Sequence, residues 1–447
     1  MMNKGVIRTG RDTAGQPARF SVVGARLVDP WSGMDQEADL HVADGHIVGI
    51  GALPDGFVPD RVVEAAGLVL SPGFVDLSAR LREPGFEYKA SMTSEMQAAV
   101  AGGVTALVCP PDTDPALDEP GLVEMLKARA YRLGLAGLYP LGALTLGLAG
   151  ERITEMSELT EAGCVGFAQA NRPIEDTRSL LRAMQYAHSY GYTVWLNPVD
   201  PFLGKGGVMH AGPIASRLGL PGNPVMSETV ALHTICELVA AIGVRVHLCR
   251  LSSAAGVALV RQAKASGLPI TADVAVHHLH LTDNDVSFDD TYHRVEPPFR
   301  AQRDRDALRA GLLDGTIDAI CSDHTPVVED AKRMPFGEAE PGVTALELLL
   351  PLALKWAEES GVGLLPMLDK LTRMPATIAG IDPAREDRPA GLAVGAVADL
   401  CLFDPNAHWV VSDDTLWSLG KDTPYLGREL RGHVRLTAVE GRLVFED

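Results

Sequence analysis

The sequence predicts an α/β chain: a (β/α)8 barrel of the TIM type with a small β-sandwich domain formed from the N- and C-terminal strands. Three observations carry this reading. Eight short apolar runs recur through the middle of the chain, each suited to a strand buried on both faces. Helical patterns closed by glycine stand between many of them. Both ends have another texture, of short β-rich runs separated by turn residues.

Taken in order, residues 1–17 are polar and glycine-rich and are expected to form a flexible tail. FSVVGARLVDP (20–30), ADLHVADGHIVGIG (38–51) and RVVEAAGLVL (61–70) read as strands with Asp-Gly and Pro breaks. AVADLCLFDP (396–405), HVRLTAVEG (433–441) and RLVFED (442–447) repeat that texture at the far end. The small domain is therefore placed at 18–70 and 388–447, with the barrel at 71–387. Its strands are FVDLSA (74–79), VTALVC (104–109), GLYPLGA (137–143), CVGFA (164–168), TVWLN (193–197), VRVHLCR (244–250), PITADVA (269–275) and IDAICS (317–322). The helical patterns include 227–243, 254–267 and 303–315. A doubly wound open sheet is the competing arrangement, but no GxGxxG follows the first strand. A core stops growing at roughly 250–300 residues, so one large and one small domain suit a chain of 447.

Composition narrows the function classes. The 39 basic and 58 acidic residues leave a formal charge of −19, which argues against nucleic acid and anionic membranes as partners. Solubility alone would explain such a surface. The six cysteines are scattered and form no CxxC pair, as expected of buried, reduced thiols. The N-terminus shows no apolar signal region, and no uncharged apolar stretch reaches the ~18 residues of a membrane span. A cytoplasmic, soluble protein is expected.

In a barrel of this kind chemistry sits where the strands end, on the βα loops. The stretches to inspect are Ser78–Gly85, Cys109–Pro115, Gly166–Asn171, Leu196–Asp200, Cys249–Ser252 and Ser322–Pro326. The motifs PGFVDLSARLREPGFEYK (72–89), AGGVTALVCPPDTDP (101–115), TADVAVHHLHLTD (271–283), RVEPPFR (294–300), AICSDHTP (319–326) and EPGVTALELLLPLAL (340–354), together with 423–444, resemble dihydroorotase of the amidohydrolase superfamily. The resemblance runs from about residue 65 to the end. It implies closure of carbamoyl-aspartate to dihydroorotate on zinc held by barrel-strand residues.

Position by position, the resemblance also implies that the zinc centre is lost. The family's His-x-His after strand one falls on Ser78 and Arg80. Its lysine or aspartate after strand four falls in Ala168, Gln169 and Ala170; its later histidines fall on Asn197 and Arg250. Of six ligand positions only the aspartate, Asp323, is kept. Zinc needs three or four N, O or S ligands at about 2.0–2.3 Å, so no metal cofactor is expected. Arg80 and Arg250 are expected to take the metal's place against Asp323. In the substrate cleft Arg82 is retained, whereas two family asparagines become Asp112 and Glu296 and a histidine becomes Val327. Added carboxylates repel a dianionic substrate.

Other histidines read more simply. His277 and His278, as neighbours on a strand, are expected to point to opposite sides. A new zinc site at His247 and Cys249 is a minor alternative. Ser322-Asp323-His324 cannot be a triad, because contiguous residues cannot adopt the required geometry. DLSARLREPG (76–85) and Cys109-Pro110-Pro111 are similar to inactive dihydroorotase-like subunits that pair with aspartate transcarbamoylase in some bacteria. That likeness implies a non-catalytic protein of pyrimidine biosynthesis in an oligomer with the transcarbamoylase catalytic chain. An active dihydroorotase or other cyclic amidohydrolase, and a small-molecule sensor using the old cleft, remain the alternatives.

Overall fold

Strands from the two ends of the chain meet in one mixed sheet of nine, described here from a computed structural model covering residues 5–11 and 19–447. From the N-terminal side come Arg19–Asp29, Met34–Ala43, His46–Ile50, Arg61–Glu64 and Val69–Pro72; Leu400–Val410, Glu429–Val439 and Arg442–Glu446 return from the C-terminal side. The seam between the halves is antiparallel, with Leu402 opposite Leu70. Phe20, Val22, Leu27, Leu40, Leu402 and Leu443 form the core beneath the sheet. The Asp44-Gly45 signal makes the expected tight hairpin, with φ of 50° and 82°.

Part of the expected flexible tail has a fixed place. Residues 1–4 and 12–18 lie outside the described residues, but Val6–Ile7 pairs with Phe445 and Glu446 at the sheet edge. The physical reason is the otherwise open edge of the last strand, whose main-chain groups take up the extended segment.

The middle of the chain closes into a barrel, which excludes the open-sheet alternative. Phe74–Asp76, Val104–Cys109 and Gly137–Pro140 form one parallel arc. Gly142–Ala143, Phe167–Ala168, Thr193–Leu196, Arg245–Leu248, Ile270–Ala275 and Ala319–Cys321 form the other. The third strand joins the arcs, since the Leu141 N–H donates to Cys109 and the Gly142 N–H to Gly166. The circuit closes between strands eight and one, where the His324 N–H donates to Ser78 at 3.0 Å and the Arg80 N–H to His324 at 2.9 Å. These strands are continuous apolar runs because helices cover them outside and side chains fill the interior. Between Val410 and Glu429 the chain leaves the small sheet and crosses the barrel, where Ser418 Oγ bonds Glu95 and Asp422 accepts the Val327 N–H. Among the described residues no helix is long and apolar enough to cross a membrane.

Candidate functional site

The strand ends converge on Asp323. Its φ is 50°, and Arg82, Ala170 and Arg250, in the loops after strands one, four and six, have φ of 61°, 51° and 57°. Left-handed backbone costs a residue with a Cβ roughly 1–2 kcal/mol, so the surroundings must hold these ends in place. Buried acids supply part of that hold. Asp76 accepts the Ser322 N–H at 2.7 Å and its hydroxyl, fixing strand eight against strand one. Asp273 accepts the Arg250 N–H at 2.5 Å.

The side chains then form a chain of alternating charge. Arg250 Nη1 donates to Asp323 Oδ1 at 2.7 Å, and Arg80 Nη1 stands 3.4 Å from the same oxygen. Arg80 Nε donates to Asp112 Oδ2 at 2.8 Å, and its Nη1 to Thr325 Oγ1 at 3.0 Å. Ser78 Oγ donates to Asp323 at 3.3 Å. Arg250 Nη2 donates to Asn171, whose Oδ1 also accepts from Asn197 Nδ2 at 3.3 Å. Asp323, Arg80 and Arg250 are 3%, 5% and 4% exposed, so little water screens these pairs. Burial works against the Arg80 and Arg250 charges, but Asp112 and Asp323 outweigh it and raise both guanidinium pKa values. Burial likewise opposes ionisation of Asp112, yet Arg80 above all, with Arg82 and Arg250, holds it below the usual carboxylate range.

The remaining positions divide clearly. Arg82 donates Nε to the Pro326 carbonyl at 2.8 Å; burial and then Arg80 lower its pKa. Glu296 contributes its carbonyl, 3.5 Å from Arg250 Nη1. Ala168 is packed in the barrel interior with Trp195 and Cys321. Gln169 is tied to Thr145 and the Leu148 carbonyl, and Val327 is buried with its N–H on Asp422. The structure thus brings together Ser78, Arg80, Asp112, Asn197, Arg250 and Asp323.

The histidines give one correction. His277 and His278 do not alternate, because strand seven ends at Ala275 and Val276–Leu279 is a 3₁₀ turn. Both rings lie buried 4.8 Å apart beside Phe299. Burial pushes His277 down to about 3, helped by Arg250. His247 has both ring nitrogens engaged, with Thr271 at 2.9 Å and Asp273 at 3.0 Å. His324 is fully buried on Glu95 at 2.6 Å. Sequence reasoning gave no role to Asn171 or Thr325, although both stand at strand ends, the one signal that could have marked them.

The donor set does not fit zinc. Among the described residues no three His, Cys, Asp or Glu side chains group so as to hold a metal. Asp323 already has Arg250 at 2.7 Å and Arg80 at 3.4 Å, so its charge is taken up by two guanidiniums.

The fold class is a closed eight-stranded parallel barrel, its strand ends carrying the site and its two termini sharing one small β domain. L-Hydantoinase (dihydropyrimidinase) from Arthrobacter aurescens superposes with a TM-score of 0.83 at 24% identity, over 95% of each chain. The family described as Dihydro-orotase-like matches residues 67–255. A dihydroorotase-like protein of Pseudomonas putida is 45% identical over 427 residues, 95% of this chain and 98% of its own. A dihydroorotase of Geobacter sp. (strain M21) is 36% identical over 428 residues, 95% of this chain and 99% of its own. The chain belongs to the dihydroorotase-like family.

Proposed function

We propose that the chain is a catalytically inactive dihydroorotase-like protein of pyrimidine biosynthesis, cytoplasmic, acting as structural partner of an aspartate transcarbamoylase catalytic chain. One observation carries the inactive half: Arg250 and Arg80 sit on Asp323 at 2.7 and 3.4 Å, at positions where the family resemblance puts metal ligands. Ring closure of carbamoyl-aspartate needs a polarised carbonyl, and a metal centre would supply that electrophile. Here the buried cations Arg80 and Arg250 are already committed to the carboxylates of Asp112 and Asp323. The partner rests on the likeness of DLSARLREPG and Cys109-Pro110-Pro111 to the inactive subunits.

Full-length relatives named dihydroorotase make an active enzyme the second reading, and one experiment separates the two. The purified chain is assayed for bound metals by elemental analysis and for dihydroorotase turnover, alone and mixed with a transcarbamoylase catalytic chain. The expected result is no stoichiometric zinc, no turnover and co-elution with the transcarbamoylase. Stoichiometric zinc with turnover overturns the first half, and separate elution overturns the partnership.

A further inference from the structure

A cavity of about 150 Å³ opens behind the loops that follow strands four and five, beside the helices Thr177–Tyr190 and Met226–Ile242. Ile174, Leu180, Leu196, Val199, Phe202 and Ile235 form its apolar walls. Leu180, Leu196 and Ile235 are buried, whereas Phe202 is 64% exposed at the rim. We propose that the cavity binds a small uncharged molecule of the phenol class, with one aromatic ring between these walls and one hydrogen-bond donor on Asn197.

Size, charge and hydrogen bonding each narrow the guest. A cavity of roughly 150 Å³ walled by Leu, Ile and Phe side chains has room for benzene. The ring of Phe202 offers a second aromatic surface to pack against. The charged lining residues are Arg172, Glu175 and Asp200, the first two exposed. Both signs therefore stand at the rim, and an ion of either sign would leave water for apolar walls without a matching field. Asp200 is also spent in part, since its Oδ1 accepts the Phe202 and Leu203 N–H groups at 2.9 and 2.8 Å.

The free acceptor follows from the arginine. A guanidinium only donates, so the Asn171 atom that takes the Arg250 Nη2 hydrogen is its carbonyl oxygen. Asn197 then has to present its amide nitrogen to that same oxygen, at 3.3 Å. This leaves Asn197 Oδ1, which bonds no other described residue, as the acceptor at the cavity wall. The guest's donor thus joins the chain that runs from Asn197 through Asn171 to Arg250. Binding here goes beyond the scaffold reading and stands whether or not the chain turns over any substrate.

The test is a saturation-transfer NMR titration of the full chain at pH 7 with phenol, anisole, benzoate and benzylammonium. Saturable binding of phenol is expected, about threefold or more tighter than anisole and about tenfold or more tighter than either ion. Hydrogen exchange with phenol present should show protection within 169–180, 196–203 and 231–235. Ala231→Phe, which fills the cavity from its helix wall, should abolish binding, and Asn197→Leu should bring phenol down to the anisole level. No saturable binding, a ranking in which anisole or either ion equals phenol, or protection elsewhere overturns the inference, as does a folded Ala231→Phe chain that still binds. If the variants do not fold, the ligand ranking and the exchange map of the unaltered chain decide.

Discussion

Asp323→Asn keeps the shape of the side chain and removes the charge that two buried guanidiniums share. Arg80 retains Asp112 at 2.8 Å, so its loss is partial. For Arg250, Asp323 is the one carboxylate within 4.0 Å among the described ion pairs, and both groups are under 5% exposed. Breaking a buried pair from one side costs about 3–5 kcal/mol, because the survivor is left uncompensated. Asp112→Asn should cost far less, about 1 kcal/mol, since the Asp112 side chain is 24% exposed and water can replace it. Urea unfolding followed by tryptophan fluorescence measures both. The diagnostic variant is Arg250→Met in the Asp323→Asn background, which removes the stranded cation. The double variant should be more stable than the sum of the single losses by at least ~1 kcal/mol. Additive losses, or an Asp323→Asn cost below about 1 kcal/mol, would refute the claim that these charges hold one another.

Further outcomes follow from the same geometry. Replacing Ser78→His, Arg80→His, Asn197→His and Arg250→His together should create zinc binding absent from the parent, read by elemental analysis; a quadruple variant without zinc would show that the strand ends no longer converge. Glu347 ordinarily ionises near 4.5 and is pushed up to about 7 by burial. The unfolded chain therefore releases this proton first, and stability falls as pH rises from about 4.5 to 7, by an order of 1–3 kcal/mol. Glu347→Gln should flatten that slope in urea unfolding across the window, and an unchanged slope would reassign it. Lys332 donates to the carbonyls of Thr291, Arg294 and Gly342 at 3.3, 3.1 and 2.8 Å. Lys332→Met leaves buried carbonyls unpaired and should cost about 2–3 kcal/mol, localised to 288–343 by hydrogen exchange.

How much of this was legible in the sequence follows from the range of each interaction. The barrel strands were readable because burial on both faces writes an unbroken apolar run into a few adjacent residues, as in 104–109. The strand-end residues were readable for the same local reason, since Ser78, Arg80, Asn197, Arg250 and Asp323 are each tied to a strand terminus. What they do with one another was less so. An arginine's reach depends on its rotamer, and only the folded barrel shows that Arg250 spans Asp323 and Asn171 at once. The His277–His278 alternation failed because strand seven stops two residues before His277, and no residue type marks that stop. Least legible was the buried seam that joins Glu95 to Ser418, 323 residues away. Glu95 also binds His324, the neighbour of Asp323, so the crossing segment 411–428 is coupled by hydrogen bonds to strand eight. The Glu347 carboxyl, which accepts the Ser418 N–H at 3.2 Å, is tied to the same seam. This accounts for the strained backbone at Asp323, whose neighbour His324 is held from outside the cleft by Glu95.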